Sequence, residues 1–254
     1  MINLLATDLR GIDAEDVVDD RQNRVPGYDE KALPSTTAAL VGCGGLGSWY
    51  GTGLVRKGIG ELKLFDHDDV ELSNLTRQKF YKQDLDQPKA SSLAKNLQRE
   101  GTMGTRITPY DISFEDAKEE GIDVSADLII AGVDNEQARV AVSRHAIEER
   151  IPAIFTGVSR DANQGYVFVQ EVDGPCFGCL FPDSVGKERK PCAKTPAVLD
   201  ILLVITGYVL FAIDTLFMDR KRNWNYVRRS LTDQTTDTKN SKVEKRENCP
   251  ICGG

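Results

Sequence analysis

The chain has 254 residues, of which 40% are hydrophobic and 28% are charged; this balance supports a buried core and excludes a chain that is disordered throughout. Its formal net charge of −7 argues against nucleic acid as the main partner, because phosphate contacts need a basic surface. Residues 1–20 lack a basic segment followed by an apolar core and a cleavage site, so we expect no secretory signal and a cytoplasmic protein.

The chain begins with an acidic, weakly patterned stretch, residues 1–20, which we predict to be an extension outside the core. Strand and helix patterns then alternate. The predicted strands are 38–41, 61–65, 127–131, 152–155, 165–171, 225–229 and 242–246, the predicted helices are 48–57, 88–99 and 136–150, and a polar loop covers 233–240. This order predicts an α/β fold, a Rossmann-like, doubly wound and mostly parallel sheet with antiparallel C-terminal strands, in one domain over 21–254.

One segment, residues 196–218, is apolar enough to resemble a membrane span. Asp200 and Asp214 interrupt it, and two carboxylates are costly in lipid. A helix packed against a sheet can instead turn them to a wet edge. We therefore interpret the segment as a core helix and expect no membrane association.

A glycine-rich turn lies between the first predicted strand and the first predicted helix. It contains Gly42, Gly44, Gly45 and Gly47. Such glycines permit a tight turn and a close approach of the backbone to phosphate, and the helix N-terminus attracts an anion. Asp66 ends the next strand, where a carboxylate can bind ribose hydroxyls, although it can also be a solvated turn residue. The turn predicts a bound nucleotide but does not distinguish ATP from the dinucleotide of a dehydrogenase.

Amide and basic side chains follow Asp66 along the chain. Asn74 and Arg77 share a face if their segment is one helical turn, and Lys89 comes next. A forked arginine and a lysine point charge suit a triphosphate whose α-phosphorus is attacked while pyrophosphate leaves. A dehydrogenase needs neither. The order of these residues therefore favours ATP, although each alone is typical of a solvated surface.

Asp134 follows the predicted strand 127–131, at the edge of a parallel sheet where ligands of open α/β folds bind. Its carboxylate can hold Mg²⁺, which would bridge phosphate oxygens. The alternative is that Asp134 caps the helix that follows, and the two roles are compatible.

Four of the six cysteines form two CxxC pairs, Cys176 with Cys179 and Cys249 with Cys252. In a cytoplasmic chain such pairs predict a tetrahedral Zn²⁺ site rather than disulfides, with a redox pair as the alternative. Four thiolates fill the coordination sphere of zinc. We therefore predict a structural zinc knuckle over 176–252 that fixes the C-terminal tail.

Taken together, these residues resemble the MoeB/ThiF/HesA family, relatives of ubiquitin-activating enzymes that adenylate the C-terminal glycine of ubiquitin-like or sulfur-carrier proteins. The resemblance covers about residues 21–252 and depends on motifs in a shared order. These are RQNR at 21–24, VGCGGLGS at 41–48, LSNLTRQ at 72–78, QPK at 87–89, Asp134-Asn135 with Arg139, and GPCFGC at 174–179.

The resemblance implies ATP and Mg²⁺ as cofactors and a partner protein that ends in Gly-Gly. Residue by residue, it implies that Asp66 binds the ribose, that Asn74, Arg77 and Lys89 bind phosphates, that Gln78 belongs to the nucleotide site, and that Asp134 binds Mg²⁺. Arg24 resembles an arginine that reaches the ATP of a neighbouring subunit, which implies a homodimer with shared active sites.

Cys192 lies in the segment where several relatives carry a thiol that accepts the activated acyl group. Basic neighbours at 187, 189, 190 and 194 favour its thiolate. In other relatives this thiol is dispensable and the adenylate is used directly. Further alternatives are adenylation of a peptide terminus or of a tRNA nucleoside carboxylate, and a non-catalytic scaffold that binds a ubiquitin-like protein.

Overall fold

The computed structural model describes residues 20–186, 196–232 and 239–253. The strands are β1 Thr37–Val41, β2 Glu61–Phe65, β3 Arg106–Tyr110, β4 Leu128–Ala131, β5 Ala153–Val158, β6 Gln164–Gln170, β7 Tyr226–Ser230 and β8 Lys239–Ser241. The helices are α1 Asp20–Asn23, α2 Gly47–Arg56, α3 Lys89–Glu100, α4 Phe114–Glu119, α5 Glu136–Glu148, α6 Phe177–Leu180 and α7 Leu199–Phe217. Short 3-10 turns are Leu33–Ser35, Leu72–Asn74, Lys82–Asp84 and Pro182–Ser184.

The strands form an eight-stranded sheet in the order β3-β2-β1-β4-β5-β6-β7-β8. Strands β1 to β5 pair in parallel, and β6, β7 and β8 continue the sheet in antiparallel pairs. The predicted doubly wound sheet with antiparallel C-terminal strands is therefore confirmed. The strand order changes direction between β1 and β4, and open α/β sheets bind ligands beyond the carboxyl ends of the strands at such a switch point.

Buried apolar side chains form two layers, one on each face of the sheet. In β1, Leu40 belongs to the layer covered by α2, α3 and α7, whereas Val41 belongs to the layer covered by α4, α5 and α6. Successive residues of a strand point to opposite faces, so a strand with helices on both sides must be apolar at consecutive positions. This is why the central strands appear in the sequence as short apolar runs.

The long apolar segment forms α7, which by length and composition could cross a membrane, with a mean hydropathy of 2.0. It packs on α2 and on β5, β6 and β7, as the interpretation of a core helix requires. Asp200 is exposed. Asp214 is only 1% exposed and contacts Lys57 at 2.9 Å and Arg220 at 2.6 Å. The expectation that both carboxylates reach a wet edge is wrong for Asp214, because two cations neutralise it inside the protein.

The last strand lies earlier than predicted. It is Lys239–Ser241 rather than 242–246, and it pairs with β7. Asn225 explains the difference, because its side chain donates to the Val243 carbonyl at 2.9 Å and accepts from the Val243 amide at 2.7 Å. The backbone amide and carbonyl of Val243 are thus bonded to the Asn225 side chain and do not pair with the backbone of a neighbouring strand. Of the predicted extension and loop, residues 1–19 and 233–238 lie outside the described ranges.

Candidate active site

The glycine-rich turn connects β1 to α2 at the switch point. Gly42 has a φ of +90°, and a Cβ on Gly47 would lie 1.8 Å from the Gly42 carbonyl oxygen. Both positions therefore require glycine. A Cβ on Gly44 would meet no atom within 4 Å, so the turn faces open space there. Because α2 begins at the end of this turn, its N-terminal amides give the open space a preference for anions.

Asp66, the residue directly after β2, holds the glycine-rich turn in place. Its Oδ2 accepts a hydrogen bond from the Cys43 amide at 2.6 Å, and its Oδ1 accepts one from the Asp68 amide at 2.9 Å. Burial raises the pKa of Asp66, while Lys89 and the two amides act in the opposite direction. Each carboxylate oxygen can accept a second hydrogen bond, so Asp66 can serve a ligand as well as the turn.

Lys89, at the start of α3, reaches the same edge of the sheet. Its Nζ lies 2.8 Å from Oδ2 of Asp68. Burial acts to lower the pKa of Lys89, but the carboxylates of Asp66 and Asp68 outweigh burial and raise it. The side chain is therefore an ammonium at neutral pH. Sequence reasoning missed Asp68, whose only signal was its position just after the end of a strand.

The segment that carries Asn74, Arg77 and Gln78 is a helical turn fixed beside the start of α2. The amides of Arg77 and Gln78 both donate to the Asn74 carbonyl, which is the turn that the sequence predicts. The indole of Trp49, in the first turn of α2, donates to the Arg77 carbonyl at 3.0 Å. This bond brings the 74–78 segment next to the glycine-rich turn.

The side chains of this segment differ in what they contact. Asn74 is buried, and its Oδ1 accepts from the Glu71 amide at 3.0 Å. The Arg77 guanidinium donates to the Ser73 carbonyl at 2.5 Å. The Oε1 atom of Gln78 is buried without a hydrogen-bond partner among the described residues. A buried acceptor of this kind is costly unless a ligand or water supplies a donor.

The loop after β4 brings Asp134 to the carboxyl edge of the sheet, where it is exposed. Asn135 caps α5, because its Oδ1 accepts a first-turn amide at 2.7 Å. The alternative interpretation, in which Asp134 is the cap, is therefore wrong. Arg139 fixes this loop, since its Nη2 donates to the carbonyls of Val133 at 2.6 Å and Thr156 at 3.0 Å.

Arg24 is exposed and lies at the far end of α2 from the glycine-rich turn. Nearby, the Gln22 side chain donates to the Arg56 carbonyl at 3.4 Å, and the Tyr28 ring lies 4.9 Å from Nζ of Lys57. The 10 residues of α2 separate its ends by about 15 Å, which is farther than an arginine side chain extends. Within one chain, Arg24 is not brought to the turn.

The four cysteines of the CxxC pairs form one cluster. Their sulfurs lie 3.4 Å apart for Cys176 and Cys249, 3.8 Å for Cys176 and Cys179, and 3.6 Å for Cys179 and Cys252. These distances exclude the bond of about 2.0 Å in a disulfide. They fit the spacing of about 3.8 Å that four thiolates adopt around a tetrahedral zinc ion. The cluster is therefore compatible with a zinc knuckle.

The thiols of the cluster differ in acidity. Burial raises the pKa of Cys176 and of Cys179. Burial also acts to raise the pKa of Cys249, but the backbone amides of Ile251 and Cys252 outweigh burial and lower it to about 7. Metal ligands must be thiolates, and the amides supply part of the stabilisation that a thiolate needs.

The structure brings most of the predicted site residues to one edge of the sheet. The glycine-rich turn, Asp66, Lys89 and the 74–78 segment lie together, and Asp134 follows β4 at the same edge. Arg24 lies elsewhere. Cys192 lies in 187–195, outside the described residues.

The fold and this edge define a doubly wound α/β protein with the glycine-rich turn typical of nucleotide binding. A comparison with family models then gives a narrower assignment. The chain belongs to the ThiF family, whose model matches residues 20–251.

Two relatives illustrate the extent of the similarity. The adenylyltransferase and sulfurtransferase MOCS3 of Caenorhabditis briggsae is 26% identical over 228 residues, which cover 88% of this chain and 56% of that protein. The SAMP-activating enzyme E1 of Haloferax volcanii is 29% identical over 224 residues, which cover 87% of this chain and 82% of that protein. The chain thus spans about half the length of MOCS3 and most of the length of the Haloferax protein.

Solved structures of MccB share the fold. The complex of the microcin C7 biosynthetic enzyme MccB with N-formylated MccA has a TM-score of 0.74 at 16% identity and covers 88% of this chain and 69% of that chain. E. coli MccB with ATP has a TM-score of 0.66 at 19% identity and covers 88% and 68%. At these identities the likeness concerns the fold alone.

Proposed function

We propose that this chain is an ATP-dependent adenylyltransferase that activates the C-terminal carboxylate of a ubiquitin-like or sulfur-carrier protein. The observation that carries the proposal is the glycine-rich turn at the switch point, with the Lys89 ammonium and the Asp66 carboxylate beside it. The names of the relatives support the reaction, since one is an adenylyltransferase and another is an activating enzyme E1.

In this proposal the phosphates of ATP lie over Gly44, in the open space at the start of α2. The Lys89 ammonium has three N–H donors, so it can bind a phosphate oxygen and keep its contact with Asp68. Asp66 accepts a hydrogen bond from the ribose through a remaining lone pair. Gln78 Oε1, buried and without a partner among the described residues, accepts from a nucleotide hydroxyl or amino group.

The chemistry joins one carboxylate oxygen of the carrier to the α-phosphorus of ATP and breaks the bond between that phosphorus and the bridging oxygen. The products are an acyl-adenylate and pyrophosphate, and no proton has to move because the carboxylate attacks in its ionised form. The chain contributes position and charge, as is usual for phosphoryl chemistry. Arg77 and Asn74 donate to phosphate oxygens, and Lys89 neutralises their charge.

Asp134 is the proposed ligand for Mg²⁺. Magnesium in nucleotide sites is commonly held by one or two carboxylates together with phosphate oxygens, and Asp134 is exposed at the edge where the phosphates would lie. When bound, Mg²⁺ neutralises charge on the leaving pyrophosphate. Arg139 positions this carboxylate, because it fixes the backbone immediately before Asp134.

Arg24 acts on the active site of a second copy in this proposal, since it lies at the wrong end of α2 for its own site. Two shared sites in a homodimer are the result. A mixture of Arg24→Ala and Lys89→Ala subunits tests this directly. Each variant alone is expected to be inactive, whereas random mixing restores about a quarter of the sites, because half of the dimers are mixed and each carries one intact site. A mixture as inactive as its components would refute the shared site.

The cysteine cluster holds Zn²⁺ in this proposal. Zinc would connect α6, which begins after Cys176, to the tail that carries Cys249 and Cys252. With four protein ligands it offers no open position for a substrate, so its role is structural.

Transfer of the acyl group to Cys192 extends the proposal. The Cys192 thiolate attacks the acyl carbon, AMP leaves, and a thioester forms. Cys192→Ala is then expected to retain pyrophosphate exchange and to lose a reductant-sensitive conjugate with the carrier. If this variant still forms the conjugate, Cys192 is not the residue that accepts the acyl group.

Pyrophosphate–ATP exchange tests the adenylation itself. The purified chain is assayed with Mg²⁺ and candidate carrier proteins that end in Gly-Gly, and we expect exchange that depends on one carrier. Exchange with a short peptide and with no carrier would favour a second candidate, adenylation of a peptide terminus, which the fold shared with MccB in complex with MccA supports. ATP binding without exchange for any substrate would contradict adenylation and favour a binding-only role.

A further inference from the structure

The two CxxC pairs lie on parts of the fold that are held in different ways. Cys176 is the N-cap of α6, a helix of four residues that contains Cys179, whereas Cys249 and Cys252 lie in the tail after β8. A single helical turn is not stable by itself, so contacts outside α6 have to fix the first pair. Phe177, the first residue of α6, makes such contacts.

The Phe177 side chain fixes α6 to the core. It is buried, and its ring centroid lies 4.9 Å from that of Phe155 on β5 and 5.0 Å from that of Phe181. Aromatic rings at such distances attract one another beyond the area they bury. The ring therefore fixes where α6 lies. The direction of the backbone at this point, and so the position of the adjacent Cys176 thiol, depends on a second contact.

The second contact joins the backbone amide of Phe177 to a polar pair formed by Ser143 on α5 and Gln170 at the end of β6. The amide donates to Gln170 Oε1 at 3.0 Å and to Ser143 Oγ at 3.3 Å. Ser143 Oγ donates to Gln170 Oε1 at 2.7 Å, and Gln170 Nε2 donates to the Ser143 carbonyl at 3.1 Å. Both side chains are buried, with Ser143 0% and Gln170 2% exposed. These hydrogen bonds are therefore made away from water.

The neighbours of Gln170 determine how its side-chain amide is oriented. A backbone N–H can only donate and a backbone carbonyl can only accept, so Oε1 faces Phe177 and Nε2 faces the Ser143 carbonyl. Losing one member of a buried polar pair leaves the others without partners, which is costly. The amide that the pair binds outside α5 and β6 is the one directly after Cys176.

We propose that Ser143 and Gln170 are positioning residues of the zinc site, which hold Cys176 and Cys179 in place for the metal. This inference rests on the zinc site of the proposed function. Side chains that orient metal ligands from outside the coordination sphere affect metal affinity strongly. In this chain the hydrogen bonds act through the Phe177 backbone, so they orient the first CxxC pair as a unit.

The second CxxC pair approaches this unit across Gly178. A Cβ on Gly178 would lie 2.8 Å from Cγ1 of Ile251 and 3.1 Å from Sγ of Cys249, and the Arg246 amide donates to Sγ of Cys179 at 3.4 Å. The tail thus packs directly on α6. Because four thiolates around zinc need a spacing of about 3.8 Å, a shift of α6 that changes this spacing weakens the hold on the ion.

Zinc affinity measures the role of the pair. The zinc-loaded protein is titrated with a chromophoric chelator, and we expect Gln170→Leu to bind Zn²⁺ about 10- to 100-fold more weakly than the wild type. The matched control is Asn96→Leu, which removes another buried side-chain amide with two hydrogen bonds, on α3. Its zinc affinity should equal that of the wild type. Wild-type affinity in Gln170→Leu, or an equal loss in Asn96→Leu, would overturn the positioning role.

The absorption spectrum of Co²⁺ in place of Zn²⁺ reports the geometry of the site directly. It also provides a test if Gln170→Leu does not fold, because Ser143→Ala removes only a hydroxyl. We expect Ser143→Ala to need several-fold more Co²⁺ than the wild type to reach the same tetrahedral spectrum. The loss is smaller than in Gln170→Leu, since Gln170 Oε1 still accepts from the Phe177 amide. Co²⁺ binding equal to that of the wild type would overturn the role of the pair.

Metal content and pyrophosphate exchange separate this inference from the proposed adenylation. A wild type that exchanges pyrophosphate but binds no zinc would refute the zinc site, and with it the role of Ser143 and Gln170, and would leave adenylation intact. If the wild type binds zinc, Gln170→Leu binds it more weakly, and neither exchanges pyrophosphate with any substrate, the result would refute adenylation alone.

Discussion

Two neighbouring residues at the end of α2 form ion pairs of different burial and allow a matched test of how this region is held. Lys57 contacts Asp214 at 2.9 Å, and the Asp214 side chain is 1% exposed. Arg56 contacts Glu100 at 3.6 Å; the Arg56 side chain is 60% exposed, and Glu100, at 14% exposed, keeps a second partner in Lys79 at 2.5 Å. Removing one partner of a buried pair costs about 3–5 kcal/mol, whereas an exposed pair contributes about 0–1 kcal/mol. Because Arg220 still contacts Asp214, we expect Lys57→Met to cost about 2–3 kcal/mol, below the full range.

Thermal and urea unfolding of the two variants measure this difference. For a chain of this size each kcal/mol shifts Tm by about 2–4 °C, so Lys57→Met is expected to lower Tm by about 5–10 °C and Arg56→Met by at most about 4 °C. The two substitutions remove similar long side chains from adjacent positions at the C-terminal end of α2, where Arg56 is the last helical residue and Lys57 is the cap, so differences in helix propensity are small. Equal stability of the two variants would refute the claim that burial of Asp214 sets the cost.

The side chain of His145 is buried, with 4% of its surface exposed, and neither ring nitrogen has a hydrogen-bond partner among the described residues. Burial, together with the positive charge of Lys118, lowers the pKa of His145. Since the folded pKa lies below the unfolded value of about 6.5, stability is expected to fall as the pH decreases from about 6.5 towards the folded pKa. Urea unfolding should show that His145→Phe reduces this loss, and an unchanged pH dependence would contradict the assignment. Asp134→Ala and Arg77→Ala are each expected to lower pyrophosphate exchange by at least about a hundredfold with little change in Tm; near-normal exchange would remove that residue from the mechanism. Elemental analysis should find one zinc per chain in the wild type and a reduced amount in Cys249→Ser, together with a lower Tm, whereas a wild type without bound metal would refute the zinc site.

The central strands could be predicted from sequence because a strand covered on both faces is a short apolar run. The edge strands could not. β3, with the sequence RITPY, contains a proline and has no fully buried residue, and β8 is the polar triplet KNS. Edge strands tolerate proline and charge, so their sequences resemble loops. Their position depends on the neighbouring strand, which supplies the register.

The site was predictable as a set of residue types in order along the chain, but the contacts among them were not. That Lys89 contacts Asp68, and that Asn135 rather than Asp134 caps α5, depends on side-chain positions that the spacing leaves open. The position of Arg24 depends on tertiary contacts, such as that between Gly27 and Asp219. These residues are distant in sequence, and no local pattern marks such a pair.

The most direct test of adenylation is the transfer of the α-phosphate of ATP to a carrier protein. The chain is incubated with Mg²⁺, a carrier ending in Gly-Gly and ATP labelled at either the α- or the γ-phosphate, and the carrier is then isolated under acidic conditions. Attack on the α-phosphorus predicts that the carrier gains the α-label and one AMP moiety by mass, while the γ-label leaves as pyrophosphate. A carrier that gains the γ-label would contradict adenylation. The same holds if the protein binds ATP but no carrier gains a label from either position.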